Sequence, residues 1–241
     1  MTVRHRSIAA SAVIATAVLV SVLIAMTGHS STREASSPRR AARSGTTTTS
    51  TTGSTSTGAS KPQGPGVVPQ GAWALPSPTR FDGTAGVGFP HTTLGAVAMG
   101  YSSLSAQVNV NPDIAASVVR ATYMSPSPAQ VQEAAQVVEN ARSSYGLPPT
   151  GPTAATIDLS LEACKVESST ANQVVAGFEG TLVVEGPSIQ GTTSDFAKAL
   201  TLAWDGTDWR IDPNTAVPQP TIAFPGSPQA AGDGWHPCSE V

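Results

Sequence analysis

Little in this chain could carry chemistry. It has two cysteines and four histidines in 241 residues, and 5% of its residues are aromatic. Zinc sites need ligands in closely spaced pairs. Cys164 and Cys238 are far apart, and beyond the N-terminal third only His91 and His236 remain. No phosphate loop and no Gly-x-Ser-x-Gly nucleophile motif occurs. Charged residues are also few, at 12%, and their signs are segregated. Residues 1–61 carry a net charge of +6, and the remainder carries −9. Phosphate contacts need Lys and Arg, so an acidic domain of this kind is a poor nucleic-acid binder.

The features that are present begin with one long uncharged run. Ile8 to Met26 comes after Arg4-His5-Arg6 and spans 19 residues. As a helix it would measure about 28 Å, enough to cross the hydrocarbon core. A cleaved signal peptide usually has a shorter apolar region, nearer 7–15 residues. Small residues near Ala25 leave cleavage open, but the length favours a retained anchor over residues 1–27. Arg33, Arg39, Arg40 and Arg43 come after it, so the arginine count alone does not place the N-terminus inside. Residues 28–70 then read as a disordered linker. Thr46 to Thr57 is almost wholly Ser, Thr and Gly, a composition that buries nothing, and Pro62, Pro65 and Pro69 stiffen the end of the linker.

Order is expected from Trp73, in an extended Trp73-Ala-Leu-Pro-Ser-Pro-Thr segment that buries its Trp and Leu. The stretch from Gly86 to Val108 organises the rest. It reads as a loop tightening at Phe89-Pro90 and then a helix capped by Thr92 or Thr93. Leu94, Val97, Ala98, Tyr101, Leu104 and Val108 mark one apolar face, and Gly95, Ala96 and Gly100 let another element come close. Asn111-Pro112-Asp113 starts a second helix with Ile114, Val118 and Val119 inward. Ser127-Pro128-Ala129-Gln130 is a capping box for a third, which should stop at Tyr145-Gly146.

The period then changes from 3.6 to 2. Ile157, Leu159, Leu161 and Ala163 alternate with polar residues, as do stretches over 174–185 and 196–204. Asp205-Gly206 turns the last of these back into Trp209-Arg210-Ile211. Helices succeeded by a strand meander give an α+β domain over residues 71–224. Residues 225–241 read as an irregular Pro/Gly-rich tail.

Helices first, then a curved meander ending in Trp204-Asp-Gly-Thr-Asp-Trp209-Arg-Ile, resembles the cystatin-like or nuclear transport factor-like cone. The order of anchor, tether and cone is similar to bitopic subunits of conjugation and type IV secretion machines of Gram-positive bacteria. Leu75-Pro-Ser-Pro-Thr and Gly88-Phe-Pro-His-Thr-Thr-Leu-Gly-Ala also resemble a group of uncharacterised actinobacterial single-pass membrane proteins found among such transfer genes. The resemblance implies a cytoplasmic N-terminus, an extracytoplasmic scaffold domain, and no catalytic residues.

Each residue with candidate chemistry also has a bland alternative. His91 sits at a helix start, where bonding to backbone competes with service as a base. Tyr101 and Tyr123 could reach the open end of a cone, yet tyrosines on apolar helix faces usually pack. Asp205, Asp208 and Asp212 have the look of a cation site, but Asp-Gly at a turn is ordinary hairpin chemistry. In an exported domain, Cys164 and Cys238 are expected to pair, closing a long loop; the alternative is a buried Cys164 and a loose Cys238. The expectation is a non-enzymatic, membrane-anchored assembly domain. Its partners are the membrane, crossed once, and proteins or further copies of itself; no nucleic acid, small molecule, metal or cofactor is expected. The competing reading is an extracytoplasmic cone that binds or transforms a small ligand.

Overall fold

The computed structural model describes residues 71–187, 189–218, 220 and 232–240. The expected anchor (1–27) and linker (28–70) lie outside the described residues. Among those described, no helix is long and apolar enough to cross a membrane.

The three helices among the described residues start where local chemistry satisfies their first amide groups. Thr92 caps α1 (Thr93–Gln107), its hydroxyl accepting from the Gly95 N–H. Asn111 caps α2 (Pro112–Thr122), with proline at a position whose N–H would have no helical partner anyway. Ser127 and Gln130 form a reciprocal capping box at the start of α3 (Pro128–Ser144). α3 ends at Tyr145 as Gly146 turns left-handed (φ 71°) and the Leu147 N–H closes back on the Arg142 carbonyl.

Among the described residues there are eight strands: β1 (Trp73–Leu75), β2 (Arg80–Asp82), β3 (Ala85–Val87), β4 (Thr156–Ser169), β5 (Gln173–Gly186), β6 (Ile189–Trp204), β7 (Trp209–Ile211) and β8 (His236–Glu240). The main sheet has the order β1-β8-β4-β5-β6-β7, and β2 and β3 form a separate hairpin. β1 runs parallel to β8; the other neighbours are antiparallel. The sheet curls into a half-barrel around the helices. Register shifts between Leu161 and Ala163 and between Val166 and Ser168 supply part of that bend. Gly180 faces the first shift, and a side chain there would strike the Ser160 carbonyl.

The sequence pattern assigns α1 a single apolar face, and the structure corrects this. Residues are buried almost all round the helix, including Thr93, Ala96, Val97, Met99, Ser103 and Gln107. The sheet covers one side: a Cβ on Gly100 would meet the Phe178 ring and Leu202. α2 and β3 cover the other, through a buried chain of hydrogen bonds. Gln107 Nε2 donates to Ser103 Oγ, Ser103 donates to Thr122, and Thr122 donates to the Val118 carbonyl. A helix enclosed on both sides shows no clean stripe, because its polar residues are buried too and pair with each other.

The tail is also corrected: its end belongs to the domain. After β7, at one edge of the sheet, the Thr215 carbonyl accepts from the Thr201 hydroxyl on the outer face. Trp235 packs on that face beside Gly177 and Ala163, and β8 then slots between β1 and β4. A disulfide joins Cys164 of β4 to Cys238 of β8, with the Cα atoms 5.8 Å apart.

Candidate functional site

The residues with the most chemical potential gather where the loop before α1 meets the β6–β7 hairpin. Gly88 has a φ of 78°, and a side chain on it would strike the Thr79 hydroxyl. Only glycine fits this corner, which aims two successive N–H groups at the hairpin. Asp208 receives them. Its Oδ2 accepts from Gly88 N at 2.6 Å, and its Oδ1 accepts from Phe89 N at 3.2 Å and from Trp209 N at 2.9 Å. The carboxylate is 1% exposed and holds three backbone donors. It ties the loop to the hairpin and presents no free oxygen to a substrate.

His91 completes this junction. Its ring stacks on Trp204 with centroids 4.0 Å apart, and Trp209 meets both rings at an angle. The Trp209 indole N–H donates to the Pro90 carbonyl at 3.0 Å. His91 Nε2 lies 2.7 Å from the Ala171 carbonyl, which can only accept, so that nitrogen carries a proton. The imidazole is therefore engaged on a face and on one edge.

The tyrosines point elsewhere. Tyr101 donates to the Leu161 carbonyl at 3.3 Å, and burial, then the Glu240 charge, raises its pKa. Tyr123 is enclosed between helices, and burial pushes its phenol up to about 12. Its hydroxyl lies beside the Gln107 side chain but makes no hydrogen bond of good geometry with it. Neither tyrosine meets His91 or Asp208 in a hydrogen bond.

The hairpin aspartates do not converge on one point. Partial burial raises the Asp205 pKa, but the Arg210 guanidinium and the N–H groups of Thr207 and Asp208 outweigh it, so the carboxyl is held well below the usual range. Asp212 accepts from Asn214 N and the Thr215 hydroxyl within its own turn. Among the described residues, no group of three or more His, Cys, Asp or Glu could hold a metal ion.

Two groups not singled out by the sequence are more unusual. Arg142, in the last turn of α3, is 3% exposed and donates to four carbonyls. These belong to Pro148, Val110, Thr150 and Gly151, at 2.6, 2.9, 3.1 and 2.8 Å. It forms one wall of a cleft between α1, α3 and the sheet, lined mainly by apolar residues such as Val108, Val138, Ile157 and Val184, with about 40 Å³ of space. The Tyr145 hydroxyl is buried without a hydrogen-bond partner. A helix-end arginine with two prolines shortly after it is the visible cue for this staple.

Lys198 is the other. It takes a core position on β6 opposite Phe178, between Phe196 and Leu200, and is 1% exposed. The cue is a lysine in an apolar alternation. Burial pushes its ammonium down from 10.5 to about 8. Because the folded value lies below the unfolded one, the penalty for the buried charge is complete below pH 8. It lifts as pH rises toward 10.5, worth up to about 3 kcal/mol. The urea midpoint is expected to climb between pH 7.5 and 10, and Lys198→Met to abolish the climb. A flat profile in the wild-type chain is the contrary result.

Comparison with protein-family models, with curated proteins and with solved structures finds no match to this chain.

Proposed function

We propose that this chain is a non-enzymatic assembly domain, held at the membrane by its N-terminal segment and placed outside the cytoplasm. In this reading it is a scaffold subunit of a conjugative transfer or secretion apparatus. The observation that carries it is the use made of the reactive side chains. Asp208 is saturated by three backbone N–H groups, His91 is stacked and bonded to a carbonyl, and Tyr101 donates to backbone. Each ties one element of the fold to another. A general base or nucleophile needs a free lone pair facing a substrate-sized space. His91 keeps one at Nδ1, but its ring lines neither the apolar cleft nor the groove beside β2–β3.

The competing reading, a ligand-binding cone, would need an enclosed site of roughly 300–1,000 Å³ with a few convergent polar groups. The apolar cleft offers about 40 Å³, and its one charged wall residue, Arg142, is committed to carbonyls. The larger hollows, about 330 Å³ between β2–β3 and α1 and about 480 Å³ beside Glu185 and Pro187, are open grooves and not enclosed sites. The curled sheet with helices in its hollow is compatible with the cystatin-like cone that the sequence resembles. In that class, assembly through the outer surface is the simpler use of a filled interior.

The test has two arms on one preparation. Protease added to intact protoplasts is expected to remove the domain. Mild detergent extraction of untreated membranes is expected to release the chain in a complex containing other proteins. Full protection from protease would overturn the extracytoplasmic placement. Recovery free of any partner protein would overturn the assembly reading.

A further inference from the structure

The hairpin β2–β3 lies against α1 and α2 through β3. All three residues of β2 are exposed: Arg80, Phe81 and Asp82. Phe81 is 68% exposed, and no other large apolar side chain among the described residues is exposed. By contrast, β3 is wholly buried. One strand of this ribbon is therefore rooted in the domain, and the other lies open.

Hydrogen-bond phase determines what the open edge offers. Gly83, with φ 63°, begins a two-residue turn, and Asp82 faces Ala85 across it. In such a hairpin the closing pair is hydrogen-bonded, the next pair is not, and the phase alternates. Phe81–Gly86 is then the non-bonded pair. In agreement, the Gly86 N–H does not cross to Phe81 but donates to Ser102 Oγ at 3.2 Å. The N–H and C=O of Phe81 thus point away from β3, toward a side where no described strand pairs.

We propose that β2 pairs with β2 of a second copy of this chain, antiparallel and about a two-fold axis at Phe81. Phe81 of one copy then exchanges both backbone hydrogen bonds with Phe81 of the other. The flanking positions put Arg80 opposite Asp82 of the second copy, and Asp82 opposite its Arg80. A three-residue strand reading cation, aromatic, anion is its own complement in this register. Parallel pairing in register would set Arg80 against Arg80 and Asp82 against Asp82, so charge selects the orientation. Neither Arg80 nor Asp82 belongs to an ion pair among the described residues. The two Phe81 rings meet on one face of the joined ribbon. Each borders an open groove of about 330 Å³ between the hairpin and α1, lined also by Pro78, Ser102, Ala106 and Glu240.

This contact is small. A stable free dimer usually buries on the order of 1,600 Å², and three-residue strands with one aromatic pair bury much less. The dimer is therefore weak in dilute solution and is favoured where a membrane concentrates and orients the chains. The proposal deepens the assembly reading by naming one partner, and the two fail separately.

The test uses the full chain. Both native cysteines are in the disulfide, so F81C supplies a single free thiol. Two-fold pairing sets the two Cα atoms about 5.5 Å apart, within reach of a disulfide. In membranes under mild oxidation, F81C is expected to give a covalent dimer at least tenfold more abundant than Q136C, whose site is exposed on α3. In the F81C background, R80D or D82R alone is expected to cut the yield about tenfold, and the two together to restore it. Equal cross-linking of F81C and Q136C overturns the proposal. So does indifference to the single reversals, or failure of the double reversal to restore. Cross-linking of F81C only to a different protein would also overturn it, while leaving assembly with other proteins standing.

Discussion

Asp208→Ala is expected to lower stability by about 4 kcal/mol, because it leaves buried N–H groups of Gly88, Phe89 and Trp209 without an acceptor. An orphaned buried donor costs about 1–3 kcal/mol, and local relaxation keeps the total below a simple sum. For a domain of this size that corresponds to a fall in Tm of roughly 10 °C. Asp208→Asn should recover only part of the loss: it keeps one acceptor oxygen but turns an N–H₂ group toward backbone donors. Urea unfolding measures both variants. A loss under about 1 kcal/mol for the alanine variant would mean that the loop and hairpin hold together without the carboxylate. The aromatic contacts of His91 and Trp209 would then be the main tie.

Arg142→Met is the second large effect, expected at about 3 kcal/mol. The guanidinium supplies the donors for four carbonyls, two of them in the stretch 150–151 and one in the α1–α2 connection. Methionine retains much of the apolar stem but none of the donors. Arg142→Lys should fare little better, since one compact ammonium cannot reproduce a planar fork that reaches several acceptors. Besides a lower midpoint, faster hydrogen exchange is expected across residues 146–155, where the chain leaves α3 and enters β4. Unchanged exchange there, in either variant, would show that the two prolines and the Gly146 turn fix the connection by themselves.

Both residues show where sequence reasoning reaches and where it stops. Features set by immediate neighbours are legible: the caps at Asn111 and Ser127, the cap of α1 to within one residue (Thr92 or Thr93), the stop at Gly146, and the turn at Asp205-Gly206. Each is governed by hydrogen bonds within a few residues, so the pattern is in the string itself. The alternation in β4, β5 and β6 is legible because the strands are long. β2, β3 and β8 are not, since three to five residues hold too few alternations to read without a turn signal or a proline-held segment beside them. β1 is legible as an extended segment that buries Trp73 and Leu75, but its pairing with β8 is not. In β8, Pro237 further disguises the strand.

The site divides in the same way. Asp208 looks like turn chemistry because its partners, Gly88 and Phe89, lie 120 and 119 residues earlier. The small residues of α1 correctly signal close approach, but not that it comes from two sides. Lys198 breaks an apolar alternation, and a charge in that register is the kind of local conflict that marks an unusual environment. Nothing near it in the chain, however, tells a buried lysine from one at an exposed strand position.

The position of β1 has a mechanical consequence. Its strand partner is β8, in the register Trp73 to Cys238, with Trp73 stacked on His236 and the His236 Nδ1 at the Gly71 carbonyl. Any pull arriving from residues before Gly71 therefore loads the end of the chain first. From β8 it passes through the Cys164–Cys238 bond into β4, inside the sheet. Along the strand axis, the three paired positions of β1 would resist in shear, giving way together instead of peeling one at a time. Traction on β1 is then shared between its pairing with β8, which the disulfide backs, and the packing of Trp73 and Leu75 in the core.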